Sequence, residues 1–490
     1  MFCVMHNLPF LLMDFLPNLL RVCCPDSEIA KAIKCSRTKA TQITEQLASM
    51  SNAHIVKQLK TSKFSLIVDE TTDVSCRKAL VLVVRYFENL AGLVRDRFLC
   101  LIELEKCDAE SIYQNIKSFF LTNNIPIQNL IGLATDGANT MAGHLTGLKT
   151  KLTKDTNLFY LKCPCHSLHL CTAYACKKLP GEVESLCRNV YSYFSWSPKR
   201  VQEFKEFQEY CNIKPHKMLG LALTRWLSLQ QVVLRIIEQW DALQLYFLSH
   251  CIEVNDIKPK DLANLMAMKE TKAYMLFLTY ILKIVNDLNI EFQSDSIRLP
   301  FLYRKLEAVV QLILTNFMCY QHVKNVPLES LEFKDSNYFL PIEKVFMGMK
   351  AETFTDNHNI EKSKICEIKK NVRCFYIELI SQILQRFDFS RTDIKSLEII
   401  TPSKILSDDE LSIAPLLTHF SYLLECEPDE IISQWTSAVA ERKFFELSLI
   451  KNKLRNKLEF KTLNNIMLCK ELFNNKDMHY VWSKKDSPNI

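Results

Sequence analysis

The sequence predicts an α/β protein, a mixed β-sheet with flanking helices interrupted by a large all-α insertion. Three observations predict it. Between Ser62 and about Lys178, runs rich in β-branched and aromatic residues alternate with stretches of helical spacing. From about 201 to 430, strand-type runs nearly vanish and 3.6-residue spacing takes over. A long helical pattern opening at Ser437 then carries an acid among phenylalanines, which suits a return to the first domain.

The elements follow in order. Residues 1–58 read as a helical segment: Leu11 to Val22, Ser27 to Ile33 and Lys39 to Leu59, with Pro25-Asp26-Ser27 as break and cap. Phe64-Ser65-Leu66-Ile67-Val68 is a first strand, ending at Asp69. Ala79 to Phe87 is a second, central in type, and Arg97 to Leu104 a third. Asp108 is placed to cap a helix ending near Thr122. Ile127 to Thr135 is a fourth strand, followed by Asp136, and Phe159 to Cys163 is a fifth. A helix then runs to about Lys178. The order β-β-β-α-β-α-β-α describes a meander passing into crossover units.

Beyond Ser197-Pro198, helical spacing marks Leu227 to Leu248, Leu262 to Leu288, Leu302 to Tyr320 and Asn371 to Phe387. Lys324 to Asp356 and Asp388 to Asp408 read as loops or irregular parts. The domain expectation is therefore 1–58, 59–200, 201–430 and 431–490.

Composition excludes several classes. At 490 residues the chain exceeds a single core, and about three domains are expected. Only 8 glycines argue against a Gly-rich-loop enzyme. The most apolar stretch, Tyr274 to Ile290, carries Lys283 and Asp287, so a buried helix is expected rather than a membrane span. The start lacks the pattern of a signal peptide, so the 19 cysteines read as reduced core thiols. Net charge is +6, too mild to argue for nucleic acid. Its distribution is more telling: Arg442, Lys443, Lys451, Lys453, Arg455, Lys457 and Lys461 face only Glu446 and Glu459 within that stretch. Such a run reads as a solvated face or as phosphate contact.

The candidate chemistry lies in three acids. Asp69 and Asp136 each end a buried-type strand, and Glu441 sits with Phe444 and Phe445 on one side of a helix. Carboxylates so placed can hold two divalent ions for phosphodiester chemistry. Taken singly, a strand-end Asp is a cap or turn residue, and Glu441 an edge-of-core acid paired with Arg442 or Lys443.

Five ordered motifs carry a resemblance. Ile67-Val68-Asp69-Glu70-Thr71-Thr72-Asp73, Ala134-Thr135-Asp136-Gly137-Ala138-Asn139-Thr140-Met141, Lys162-Cys163-Pro164-Cys165-His166, Thr224-Arg225-Trp226-Leu227-Ser228 and Glu441-Arg442-Lys443-Phe444 come in turn. Together they resemble the hAT superfamily of DNA transposases and the host proteins derived from them. The resemblance implies a ribonuclease-H-like sheet split by a helical insertion, with a C-terminal dimerisation region in 431–490. It implies that Asp69, Asp136 and Glu441 are catalytic metal ligands for two Mg²⁺ ions, in DNA cleavage and strand transfer. It implies DNA contact by Arg225, Trp226, Arg442, Lys443, Lys451 and Arg455, with Trp226 stacking on a flipped base unless it anchors the core. Cys163 and His166 look structural. The cluster Cys163, Cys165, His166, His169 and Cys171 departs from finger spacings, so zinc is not expected. The usual N-terminal BED zinc finger has no counterpart before Ser62. Expected partners are DNA and a second copy of the chain, in a nuclear protein with no membrane and no small-molecule substrate. The alternative is a catalytically inactive, transposase-derived nuclear protein that dimerises and associates with DNA or chromatin.

Overall fold

The computed structural model describes residues 2–72, 77–88, 91–221, 228–253, 257–294, 298–401, 404 and 412–424. Two units divide the chain: Met1–Ser294 with Val309–Phe387, and Asp295–Ala308 with Asp388–Ile490.

The first unit opens with helices α1 (Phe2–Met5), α2 (Leu16–Cys23), α3 (Glu28–Ala32) and α4 (Arg37–Thr61). Ser27 caps α3 as its sequence position suggests, its hydroxyl accepting from the Ala30 amide. Strands β1 (Phe64–Thr72), β2 (Lys78–Glu88) and β3 (Leu93–Glu103) form the antiparallel meander. Asp108 then caps α5 (Ala109–Thr122), accepting from the Ser111 amide at 2.8 Å. Strand β4 (Leu130–Thr135) returns parallel to β1, helices α6 (Asn139–Ala142) and α7 (Leu148–Thr153) cross over, and β5 (Phe159–Lys162) adds parallel to β4. The five-stranded sheet is therefore mixed, in the order β3-β2-β1-β4-β5.

Strand alternation explains which face is covered. Phe64, Leu66 and Val68 of β1 and Leu80, Leu82, Val84 and Tyr86 of β2 are all buried. They pack with Ile55, Val56 and Leu59 of α4, with Ile112, Ile116 and Phe120 of α5, and with Leu148 and Leu152 of α7. Phe64 meets Phe120 edge-on, centroids 5.8 Å apart. Each fully buried side chain of this kind contributes about 1.5–3 kcal/mol.

One glycine sets the spacing of the two strands that carry the acids. A Cβ on Gly132 of β4 would lie 2.4 Å from the Ser65 hydroxyl and 3.0 Å from the Ser65 Cβ of β1. Gly132→Val is therefore expected to wedge β4 from β1 and cost about 1–3 kcal/mol in urea unfolding. Pairing it with Ser65→Gly should return part of that loss; no cost from the single change would contradict the contact.

After β5 the unit is helical: α8 (Pro164–Cys176), α9 (Gly181–Ser195), α10 (Pro198–Tyr210), α11 (Ser228–Glu238), α12 (Trp240–Glu253), α13 (Ile257–Ala267) and α14 (Lys269–Phe292). In the second unit α15 (Leu302–Leu314) begins, and its later residues belong to the first. Helices α16 (Tyr320–Asn325), α17 (Met349–Asn357) and α18 (Lys362–Arg386) complete the first unit, and α19 (Thr392–Ser396) and α20 (Ala414–His419) lie in the second. Among the described residues beyond 198, β pairing is confined to an isolated bridge between Met318 and Phe339.

Several expected boundaries move. The single helix expected over Leu227 to Leu248 divides at Gln239, whose buried amide turns aside to Gln208 and the Lys214 carbonyl. That over Leu262 to Leu288 divides at Met268, which takes an extended conformation. Strand β3 begins at Leu93, four residues before the expected Arg97, because its early residues pair with Glu88 and Phe87 despite their exposure. Ile127–Asn129 is a 3₁₀ turn after Pro126, so β4 starts at Leu130. Lys324 to Asp356, expected to be irregular, contains α17 and three 3₁₀ turns. Helix α14 is long and apolar enough to cross a membrane by length and composition, yet 72% of its most apolar window is buried. It is a core helix.

Candidate functional site

The parallel strands bring their carboxyl ends to one edge of the sheet. Ile67 of β1 pairs with Ala134 of β4, so two residues further along, Asp69 comes beside Asp136. Thr135 pairs with Lys162 of β5, and the Cys163 amide donates to the Thr135 carbonyl at 2.8 Å. Asp69, Asp136 and Cys163 thus stand in a row across three neighbouring strand ends. In open sheets with parallel strands, that edge is where ligands bind.

Electrostatics records the closeness of the acids. Asp69 keeps an exposed surface, but partial desolvation holds its carboxyl above its ordinary value, and the charge of Asp136 raises it further. A hydrogen bond with the Glu70 backbone and the charge of His166 pull the other way. Sign and window follow. A carboxyl raised in the folded state favours folding when protonated, and that contribution is lost as pH rises through its folded value. In metal-free buffer, Asp69→Asn should therefore gain on the unsubstituted chain in melting temperature between pH 4.5 and pH 7. A variant less stable at pH 7 would contradict the repulsion.

Asp136 is held by its own turn. Its Oδ1 accepts from the Ala138 amide at 3.1 Å, and its carbonyl accepts from the Thr135 hydroxyl at 2.8 Å. Behind it, the buried Tyr160 and Thr135 hydroxyls lie 3.0 Å apart. Tyr160 and Glu70 are participants that the sequence reading missed. Burial raises the Glu70 carboxyl, the Cys107 thiol bonded to it lowers it, and the charge of Asp136 raises it again. The signal for Glu70 was its adjacency to Asp69; Tyr160 left none, because an aromatic in a strand reads as core.

Cys163 is the cap residue of α8, with Pro164 at the first helical position. The Cys165 thiol bonded to it brings the Cys163 thiol down to about 7, against its burial. Cys165 rises correspondingly, and its Sγ lies 3.7 Å from the Asn289 carbonyl of α14. His166 is half-buried in the first turn of α8, facing the acids electrostatically. Burial raises Cys171 to about 12 and lowers His169. Among the described residues, no three His, Cys, Asp or Glu side chains gather as a metal would need. Glu441, Arg442, Lys443, Lys451, Arg455, Arg225 and Trp226 lie outside the described residues.

Residues 23–147 match the family DUF4371, described as the ZMYM1/FAM200 RNase-like domain. This family derives from hAT transposases, and the match is consistent with a transposase-derived protein. The matched RNase-like span is about a quarter of the chain and contains β1 to β4, with both Asp69 and Asp136. Its description agrees with a ribonuclease-H-like reading of the mixed sheet.

Proposed function

We propose that this chain is a hAT-type transposase-like protein that cleaves DNA phosphodiester bonds and transfers strands, through Asp69, Asp136 and Glu441. The observation that supports this most is the placement of Asp69 and Asp136 at adjacent parallel strand ends, where the charge of Asp136 raises the Asp69 carboxyl. A dication relieves that opposition, and an all-oxygen donor set suits Mg²⁺. Asp69, Asp136 and Glu441 would hold the ions. Bound there, the metal would activate water or a 3′-hydroxyl and neutralise charge at the leaving oxygen.

The chain's own groups do the positioning. The Ala138 amide fixes one Asp136 oxygen. Cys163 and His166 order the sheet edge beside it. Arg225, Trp226, Arg442, Lys443, Lys451 and Arg455 would contact DNA, cations meeting phosphates and the indole a base. The protein would act in the nucleus as a homodimer or higher homo-oligomer.

The experiment is nicking of supercoiled DNA by the purified full chain in Mg²⁺ or Mn²⁺. Activity that Asp136→Asn abolishes supports the proposal. Equal activity in that variant rejects the assignment of this acid. An unsubstituted chain that binds DNA and self-associates without cutting would establish the alternative, an inactive transposase-derived module.

A further inference from the structure

Before residue 51 the N-terminal helices bury almost nothing. Among described residues 2–50, only Cys3, Pro17 and Ala30 are buried. Large apolar side chains instead face outward in register. On α4, Ile43, Leu47 and Met50 are 40%, 44% and 70% exposed, and on α2 and its cap Phe15, Leu19 and Val22 are 64%, 58% and 78% exposed. Each set has the i, i+4, i+7 spacing of one helix side. The Arg37 amide at the start of α4 donates to Asp14 of the turn before α2, their side chains pair at 3.4 Å, and Arg21 of α2 donates to the Ile33 carbonyl after α3. An outward apolar row of this kind marks an interaction surface.

The pattern on α4 says what covers it. Ala40, Ile43, Leu47 and Met50 follow the 3-4-3 spacing of a coiled-coil seam. We propose that this seam pairs antiparallel with the same seam of a second copy of the chain. About a two-fold axis, Ile43 then faces Leu47 of the other copy and the small Ala40 faces the large Met50, so each layer balances in volume. The flanks are equally self-consistent. Gln46 meets Gln46 and Thr44 meets Thr44, Lys39 lies opposite Ala53, and Arg37 lies opposite Ser51. No like charges oppose one another. This interface is separate from the C-terminal region that the family resemblance associates with dimerisation, and it does not depend on catalysis.

Sedimentation velocity of the full chain across micromolar concentrations tests it. Leu47→Lys is expected to shift the distribution to smaller species and raise the dissociation constant at least about tenfold. Glu45→Lys, off the seam, should leave it unchanged. Gln46→Glu and Gln46→Lys should each weaken association alone and recover it when mixed, because only a self-facing position gives that behaviour. Should Leu47→Lys lose its thermal transition, Met50→Lys, the more exposed seam residue, takes its place. A monomeric unsubstituted chain, an unshifted seam variant, an equal shift in Glu45→Lys, or no recovery on mixing would each overturn the proposal.

Discussion

Asp136→Asn is expected to remove metal-dependent nicking by at least about 10³-fold, equivalent to about 4 kcal/mol of transition-state stabilisation, while leaving the fold intact. Asparagine keeps an Oδ1 in the same place, so the bond from the Ala138 amide survives and the loop after β4 holds its course. What is lost is the negative charge facing Asp69. Melting temperature in metal-free buffer should therefore stay level or rise, as relief of repulsion dictates. Added Mg²⁺ or Mn²⁺ should stabilise the unsubstituted chain by mass action and the variant far less. The combination separates chemistry from folding. A variant that loses nicking but keeps the full metal-induced shift would place the ion elsewhere. One that loses melting temperature in metal-free buffer would make Asp136 a structural residue instead.

Much of this edge was legible beforehand because strand chemistry is local. Phe64 to Val68 alternates cleanly between buried and half-buried positions, so the strand ending at Asp69 could be read from residue types alone. Asp108 and Ser27 could be read as caps for the same reason: a short polar side chain three residues before the amide that it accepts. The pairing of Asp69 with Asp136 was less accessible. It follows from a parallel register between strands more than sixty residues apart, which no local window encodes. Likewise Gln239 looked like any polar residue within a helix. Where its helix pattern divides, its side chain meets Gln208 and the Lys214 carbonyl, partners some 25 to 31 residues away that no local window encodes. The exposed seam on α4 was read only as helix, since periodicity marks an apolar side without saying what meets it.

The second large effect concerns a buried cation far from the acids in sequence. Lys369 of α18 is 6% exposed, and its ammonium donates to the Glu343 carbonyl at 2.7 Å and lies 3.0 Å from a Glu352 oxygen. The other Glu352 oxygen accepts from the Met347 amide, while Tyr376 donates to the Phe346 carbonyl and the Phe346 amide donates to Asn316. These bonds peg an irregular segment whose turn into α17 passes through Gly348 at φ +89°, where a Cβ would meet Tyr280 at 2.6 Å. Lys369→Met removes the cation and leaves the Glu343 carbonyl and the half-buried Glu352 carboxylate without it. Breaking a buried pair costs about 3–5 kcal/mol, and the partial exposure of Glu352 lowers the expectation to about 2–4 kcal/mol. Adding Glu352→Gln should recover a large share, because the neutral amide still accepts from Met347 and no lone charge remains. Urea unfolding of the single and double variants measures both. The consequence reaches the candidate site through packing: α18 lies along α8, the helix that carries Cys163 as its cap and His166 in its first turn. Loosening α18 should therefore lower the temperature at which nicking is lost without changing its metal dependence, the signature of a support acting through structure. Full recovery by the double variant would assign the effect to the unpaired charge, whereas no recovery would assign it to the lost peg on the Glu343 carbonyl.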